Sequence, residues 1–185
     1  MKIKEAIELE LLSFKHRDEL YSLVDTNRTY LREWLPWLDS NKSPDDTESF
    51  IKSAIDQYQA GKGPQYAVFH EVAMCGVCGF HHIDNGNKIG AIGYWLGQMY
   101  SGKGIMTKSV EALVKTGFRE YKLNRIEITC RNWQYEKPKR FQSVWDLNLK
   151  VFCESVRIFT AKHVDHAVYS MLAAKFALNR VAGGF

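Results

Sequence analysis

The chain lacks several features that would place it quickly. Nowhere in its 185 residues does an apolar run approach the length of a membrane span. The first residues, MKIKEAIELELL, alternate charged and apolar side chains, without the continuous apolar stretch of a secretory signal. No repeat recurs, and no low-complexity linker divides the chain. An excess of one charge is also missing. Lys and Arg number 25 against 21 Asp and Glu, a net charge of +4. That balance suits an acidic ligand and is too weak to argue for direct nucleic-acid binding. These absences predict a soluble, cytoplasmic protein with no membrane partner. A hydrophobic content of 45% supplies enough apolar residues for a packed core.

Cysteine is sparse as well: Cys75, Cys78, Cys130 and Cys153. Cys75 and Cys78 form a C-x-x-C, which raises a zinc or redox reading. No second pair exists to complete a four-sulfur site. The surrounding AMCGVCGF reads as a strand, where residues three apart point to opposite faces. The expectation is buried or free thiols in a reducing compartment, with no metal.

What is present is a clear succession of periods. Residues 3–12 alternate as a half-buried strand. Residues 16–35 follow helical spacing through Leu20, Leu23, Val24, Leu31 and Leu35, and Pro36 interrupts them. A second helix opens at SPDD: Ser43 caps it, Pro44 fits the first turn, and Asp45 and Asp46 favour its positive end. Gly61 ends it. QYAVFHE, VCGFHHID and AIGYWLG then read as an antiparallel meander, with the hairpin signal DNGN at 84–87. From Gly104 the period is helical, with Met106, Val110, Leu113, Val114, Gly117, Phe118 and Tyr121 on one side. Residues 125–131 and 163–172 read as strands. The tail after Lys175 ends in VAGGF and is expected to be loose.

The glycine pair in IGYWLGQMYSGKGIMT carries the first functional signal. A P-loop needs Lys followed by Ser or Thr, whereas Lys103 is followed by Gly104. A dinucleotide loop needs a third glycine or alanine and a parallel β-α-β setting, whereas Thr107 and a meander stand here. The general physics of an anion site survives. Gly102 and Gly104 carry no Cβ to block backbone approach, and the amides of 102–106 lead into a helix start. Lys103 adds positive charge. A tight strand-to-helix turn with no ligand explains the same glycines.

The order and spacing of these pieces resemble the GNAT superfamily of acyl-CoA-dependent N-acetyltransferases, and within it the RimL-type ribosomal-protein-serine acetyltransferases. The resemblance is carried by WLPWL, IGYWLG, SGKGIMT, LNRIEITC and VDHAVYSML, in that order. It implies an α/β fold with a mixed, mostly antiparallel, splayed sheet flanked by helices. It also implies a single acetyltransferase domain over residues 1–175, atypical over 132–161. Acetyl-CoA is the implied co-substrate. Backbone contacts from Ile92, Gly93, Tyr94, Trp95 and Leu96 would meet its pantetheine arm. Amides of Gly102, Lys103, Gly104, Ile105 and Met106 would meet its pyrophosphate. The family's Gln or Arg three residues before the first glycine falls on Met99, with Gln98 adjacent. The implied acceptor is a protein N-terminal amine, that of a ribosomal protein. Alternatives are a small-molecule amine, or an inactive CoA-binding or ribosome-docking protein. A homodimer stays open.

Amine acetylation needs a neutral amine, a polarised carbonyl and a protonated or solvated thiolate. Many family members place a Glu base where this chain has Ala91. His81 and His82 are nearby on the preceding strand and point to opposite faces; the resemblance favours His81 as a proton relay. A surface or hydrogen-bonding histidine explains it too. His163, Asp165 and His166 do not converge as metal ligands, because His166 lies opposite the others. By the resemblance, Asp165 belongs to the acceptor side, as do Trp34 and Trp37, for which core packing is the other reading.

Residues 132–161 break the pattern. Neither a helical nor a strand period is legible, and the family's Asn, Ser and Gly-Phe are absent, so Asn132 and Ser143 receive no role. A shifted reading explains this. When each codon of WDLNLKVFCESVRIFTAK begins at its third base, permitted codons give G-F-K-L-E-G-I-L-R-E-C-E-N-I-Y-G-K. That resembles the missing family sequence and runs directly into HVDHAVYS. The expectation is that residues from about 132 to 161 are read out of frame.

Overall fold

The computed structural model describes residues 1–4, 6–33, 35–131, 148–159 and 162–181. For residues 2, 4, 130, 131, 148–159, 162–167 and 178–181 the backbone alone is described. The chain forms two compact units. Unit 1 comprises residues 1–81 and 93–113; unit 2 comprises residues 82–92 and those from 114 onward. Among the described residues, the strand pairings are antiparallel except for one parallel pair, so the sheet is mixed and mostly antiparallel, with flanking helices.

Unit 1 begins with strands β1 (Lys2–Lys4) and β2 (Ile7–Leu11), an antiparallel pair. The single strand expected over 3–12 is therefore two. The alternation runs on through the turn, which has no Gly, Asn or Pro to mark it, so the period alone hides it. The terminal ammonium of Met1 donates to the Leu9 carbonyl at 2.6 Å and closes the pair.

The helix expected over 16–35 is also divided. Helix α1 spans Arg17–Thr26 and α2 spans Arg28–Leu31, with Asn27 between them at φ −109° and ψ 12°. A 3-10 turn, Pro36–Ser40, follows. Helix α3, Pro44–Gln59, starts as its letters require. Ser43 Oγ accepts from the Asp46 amide at 3.3 Å, and the Asp46 carboxylate accepts from the Ser43 amide at 2.9 Å. These two bonds make a reciprocal cap, with Pro44 at the first helical position. Leu20 and Val24 of α1, Leu31 of α2 and Ile51 and Ala54 of α3 bury themselves with Leu12, Leu38, Ala67, Met74 and Val77.

Strand β3 (Gln65–His70) pairs antiparallel with β2 and with β4 (Ala73–Asp84). Cys75 and Cys78 are both free and buried in β4. Cys75 Sγ lies 3.2 Å from the Val68 carbonyl, and burial pushes its thiol up to about 12. Cys78 is raised further by burial. A thiol so disfavoured as thiolate is a poor nucleophile and a poor metal ligand.

The Asp84–Asn87 turn leads into β5 (Ile89–Leu96). Asp84 Oδ1 accepts from the amides of Gly86 and Asn87, each at 2.9 Å, and bonds from Asn87 hold its carboxyl below the usual range. Within unit 2, β5 runs parallel to β6 (Arg125–Arg131), from Ile89 opposite Arg125 to Ile92 opposite Ile128. Strand β8 (Lys162–Leu172) lies antiparallel to β6 and to β7 (Asn148–Phe159). Between β5 and β6 the chain forms α4 (Ile105–Arg119), with Val110, Leu113, Val114 and Phe118 buried on its expected face.

The tail differs from expectation. Ala173–Val181 form helix α5. The Ala173 amide bonds the Asn124 carbonyl at 2.9 Å, and the Phe176 ring lies 4.9 Å from that of Phe118. One buried aromatic is enough to order a short terminal helix that composition alone reads as loose. Residues 182–185 lie outside the described residues.

Candidate functional site

The β5–α4 connection lies in unit 1 and begins where β5 ends. The Gly97 amide bonds the Cys75 carbonyl at 2.9 Å, which ties the strand end to β4. A 3-10 turn, Gln98–Tyr100, follows, and then the exposed residues 101–104. Gly102 and Gly104 have φ of +80° and +77°, the left-handed region that non-glycine residues avoid. A Cβ placed on either would meet nothing within 4 Å. In the chain alone, backbone conformation rather than crowding calls for glycine there. The space above both residues is open, as an approaching ligand needs.

Helix α4 begins directly afterwards. Its Lys108 amide bonds the Gly104 carbonyl at 3.2 Å. By helix geometry the amides of Ile105, Met106 and Thr107 have no carbonyl one turn back. No acid stands in its first turn. Lys103 Nζ sits 5.6 Å from the centre of the Tyr100 ring, a cation–π placement that keeps a positive charge beside the loop. Left-handed glycines, unpaired amides and a lysine together suit an anion such as pyrophosphate. Ile105 is buried and anchors the helix, whereas Met99 is 70% exposed.

Two residues without a role in the sequence reading hold this loop. Asn27 Oδ1 accepts from the Gln98 amide at 2.8 Å, while its Nδ2 donates to the Leu23 carbonyl at 2.9 Å. The side chain that interrupts the α1–α2 helix thus fixes the start of the glycine loop. Tyr30 Oη lies 3.1 Å from Ser101 Oγ. The available signal was a lone Asn inside a helical period, where its side chain competes with the backbone for hydrogen bonds.

The strand residues lie alongside. Gly93, Tyr94, Trp95 and Leu96 form the unit 1 portion of β5, and Ile92, buried, ends the unit 2 portion. His81, near the end of β4, is exposed. A Cβ on Gly93 would fall 1.8 Å from His81 Nε2, so the imidazole lies directly against the β5 backbone. His82 is exposed too and belongs to unit 2. Ala91 sits opposite Glu127 in the β5–β6 register, and Glu127 pairs with Arg125 at 2.8 Å.

Trp37 is exposed on the 36–40 turn, its ring 6.3 Å from that of Phe50 and 6.5 Å from that of Trp95. Trp34 lies outside the described residues. Asp165 lies on β8 of unit 2, with its side chain outside the description. Among the described residues, no three of His, Cys, Asp or Glu group as metal ligands. Among the same residues, no helix is long and apolar enough to cross a membrane.

Comparison with known proteins gives this geometry a context. Residues 7–134 match the model of the acetyltransferase (GNAT) domain family. The ribosomal-protein-serine acetyltransferase of Escherichia coli (strain K12) is 31% identical over 131 residues, 71% of this chain and 73% of that protein. Among solved structures, the RimL ribosomal L7/L12 α-N-protein acetyltransferase in complex with coenzyme A superposes with a TM-score of 0.88 at 25% identity. That alignment covers 94% of this chain and 98% of the other. The microcin C7 self-immunity acetyltransferase MccE, in complex with acetyl-CoA and AMP, gives a TM-score of 0.85 at 25% identity. It covers 93% of this chain and 95% of the other.

Proposed function

The chain belongs to the acetyltransferase (GNAT) family, and from that premise we propose that it moves an acetyl group from acetyl-CoA to a protein N-terminal amine in the cytoplasm. The observation that carries the reading is the loop of two left-handed glycines opening directly onto the α4 amides. It offers a pyrophosphate several N–H donors in a fixed array, with Lys103 as a nearby charge. In this reading Gly102–Met106 hold the pyrophosphate, and Ile92–Leu96 hold the pantetheine arm by backbone contacts. Residues 1–175 work as one acetyltransferase domain.

The chemistry follows from the co-substrate. The amine nitrogen attacks the thioester carbonyl, the C–S bond breaks, and the thiolate of CoA leaves. The proton lost by nitrogen must be accepted, and the departing sulfur must be protonated or solvated. Ala91 offers no carboxylate for the first task. His81, with its ring against β5 at Gly93, takes the proton directly or through one water. Trp34, Trp37 and Asp165 are assigned to the acceptor side.

A protein acceptor is favoured by the named activity of the Escherichia coli relative, which shares 31% of its residues over the matched length. A second reading, a small-molecule amine, is favoured by the three aromatic rings of Trp37, Phe50 and Trp95 gathered in unit 1. Thiol release from acetyl-CoA separates them. An N-terminal Ser peptide that supports release supports the first reading. Release only with small amines overturns it in favour of the second. No release with any amine, together with retained CoA binding in calorimetry, indicates an inactive binding protein.

The family match ends at residue 134, beside the start of the stretch that the codon argument assigns to a shifted frame. We infer that residues from about 132 to 161 are not the residues this fold was selected to carry. Residues 132–147 and 160–161 lie outside the described residues.

A further inference from the structure

The corner between α1 and α2 and the entry to the glycine loop meet at Asn27. Its backbone amide donates to the Val24 carbonyl at 3.2 Å, and its carbonyl accepts from the Leu31 amide at 2.8 Å, which closes α1 and opens α2. Its Nδ2 donates to the Leu23 carbonyl at 2.9 Å and to Thr26 Oγ1 at 3.3 Å, while Thr26 Oγ1 donates in turn to the Ser22 carbonyl at 2.7 Å. Its Oδ1 accepts from the Gln98 amide at 2.8 Å. The Leu23 carbonyl can only accept and the Gln98 amide can only donate, so the side-chain amide has one orientation. Ala would remove both bonds. Asp would keep an acceptor for Gln98 but set a carboxylate against the Leu23 carbonyl.

The loop entry is tied at further points. The Gly97 amide bonds the Cys75 carbonyl of β4 at 2.9 Å. The amides of Tyr100 and Ser101 return to the carbonyls of Gly97 and Gln98, each at 3.1 Å. Ser101 Oγ lies 3.1 Å from Tyr30 Oη of α2. Gly97 is buried, and a Cβ on it would fall 3.2 Å from Leu23 Cδ1 and 3.3 Å from Asn27 Nδ2, so the entry lies directly on the corner. Residues 97–101 are thus fixed from β4 and from α1–α2 immediately before Gly102. An array of amides binds an anion tightly when its geometry is set in advance, because binding then loses little free energy to ordering the loop.

We propose that Asn27 and Tyr30 are positioning residues for the cofactor: from the α1–α2 corner they hold residues 98–101 in the conformation that aims the following amides at the pyrophosphate. The proposal rests on the reading of residues 102–106 as the pyrophosphate site. It assigns part of the CoA affinity to two residues outside that loop, through bonds to its entry.

The test titrates the full chain and its variants with CoA by calorimetry. Asn27→Ala should weaken CoA by about tenfold, equal to about 1.4 kcal/mol. Tyr30→Phe, which removes only the hydroxyl, and Ser101→Ala should each weaken it by about threefold, within the range of one hydrogen bond. The double variant should be no weaker than either alone, because both changes break the same bond. Ser43→Ala, which loosens α3 in the same unit, should bind CoA as wild type does. Thermal melts establish that each variant is folded; if Asn27→Ala is not, the tyrosine and serine variants decide. Wild-type affinity in the folded variants overturns the proposal. So does equal weakening by Ser43→Ala, which would make the effect one of general stability. A wild-type chain that binds no CoA overturns the pyrophosphate reading and this proposal with it. A wild-type chain that binds CoA beside unaffected variants overturns this proposal alone.

Discussion

Residues 104–131 and residues 132–161 are neighbours of almost equal length, yet they differ in every sequence signal that can be compared. The first stretch opens on a left-handed glycine, continues with a helical apolar face, and ends in the alternation of RIEITCR. Period, turn chemistry and burial agree, as they do in sequences selected for one structure. The second stretch has two tryptophans, a basic cluster around Pro138 and no sustained period. The family match crosses the first and stops at residue 134. A frame change would produce this contrast, because third-base reading scrambles hydrophobic patterning while leaving overall composition ordinary. Consistency across levels is therefore a test of the reading frame as well as of the fold.

The largest effect should come from restoring the second stretch. DNA covering codons 130–163, sequenced from independent clones, is expected to show a base gained or lost on each side of the anomaly. A chain carrying the shifted reading should release thiol from acetyl-CoA faster than the chain as written. It should also melt higher, since uncovered apolar surface costs several kcal/mol. An uninterrupted frame in every clone, with equal activity of both chains, would remove the contrast altogether.

Gly102→Asp probes the first stretch with the next largest effect. Forcing a non-glycine residue to φ +80° costs about 1–3 kcal/mol, and the added carboxylate repels a phosphate. CoA affinity measured by calorimetry should fall by about a hundredfold, while Gly102→Ala should lose less. Unchanged affinity in Gly102→Asp would show that the loop is only a turn.

His81→Ala should lower kcat/KM by about a hundredfold at neutral pH, the usual weight of a positioned acid–base group, with CoA affinity retained. Gly93→Ala should reproduce the loss, because its new Cβ occupies the space of the imidazole. If His81→Ala keeps full kcat/KM and an unaltered pH profile, the histidine is a surface residue and the proton goes elsewhere.

Much of the first stretch and its surroundings is legible without coordinates. The α3 cap, the DNGN turn and the 125–131 strand each depend on local chemistry, and local chemistry is written in adjacent letters. The glycine loop is legible in place, although its physical reason is left-handed backbone rather than the close approach that spacing suggests. What escapes is tertiary. Asn27 looks like an ordinary helical position until its partner 71 residues away is known. Phe176 looks like part of a tail until Phe118 is beside it. The His16 imidazole is buried, accepting from the Ser13 amide at 3.1 Å and facing the Glu10 carboxylate at 3.2 Å. Nothing in its neighbours' spacing announces that.

The smallest expected effect tests how far a legible signal can be trusted. Ser43→Ala removes one half of the α3 cap and should cost about 1 kcal/mol, read as a lower midpoint in urea with unchanged slope. Bonds from the Lys42 amide and the Ser43 hydroxyl hold the Asp46 carboxyl below its ordinary value. A carboxylate whose folded pKa is depressed stabilises the fold above the unfolded pKa and loses that contribution as pH falls through the folded value. The gap between wild type and Ser43→Ala should therefore be full near neutrality and narrow below about pH 4. It should not close. The Ser43 oxygen still accepts from the Asp46 amide when the carboxyl is protonated, so this half of the cap outlasts the charge. A gap that stays constant into acid would mean that the hydroxyl-to-carboxylate bond adds nothing, and that the cap rests on the amide alone.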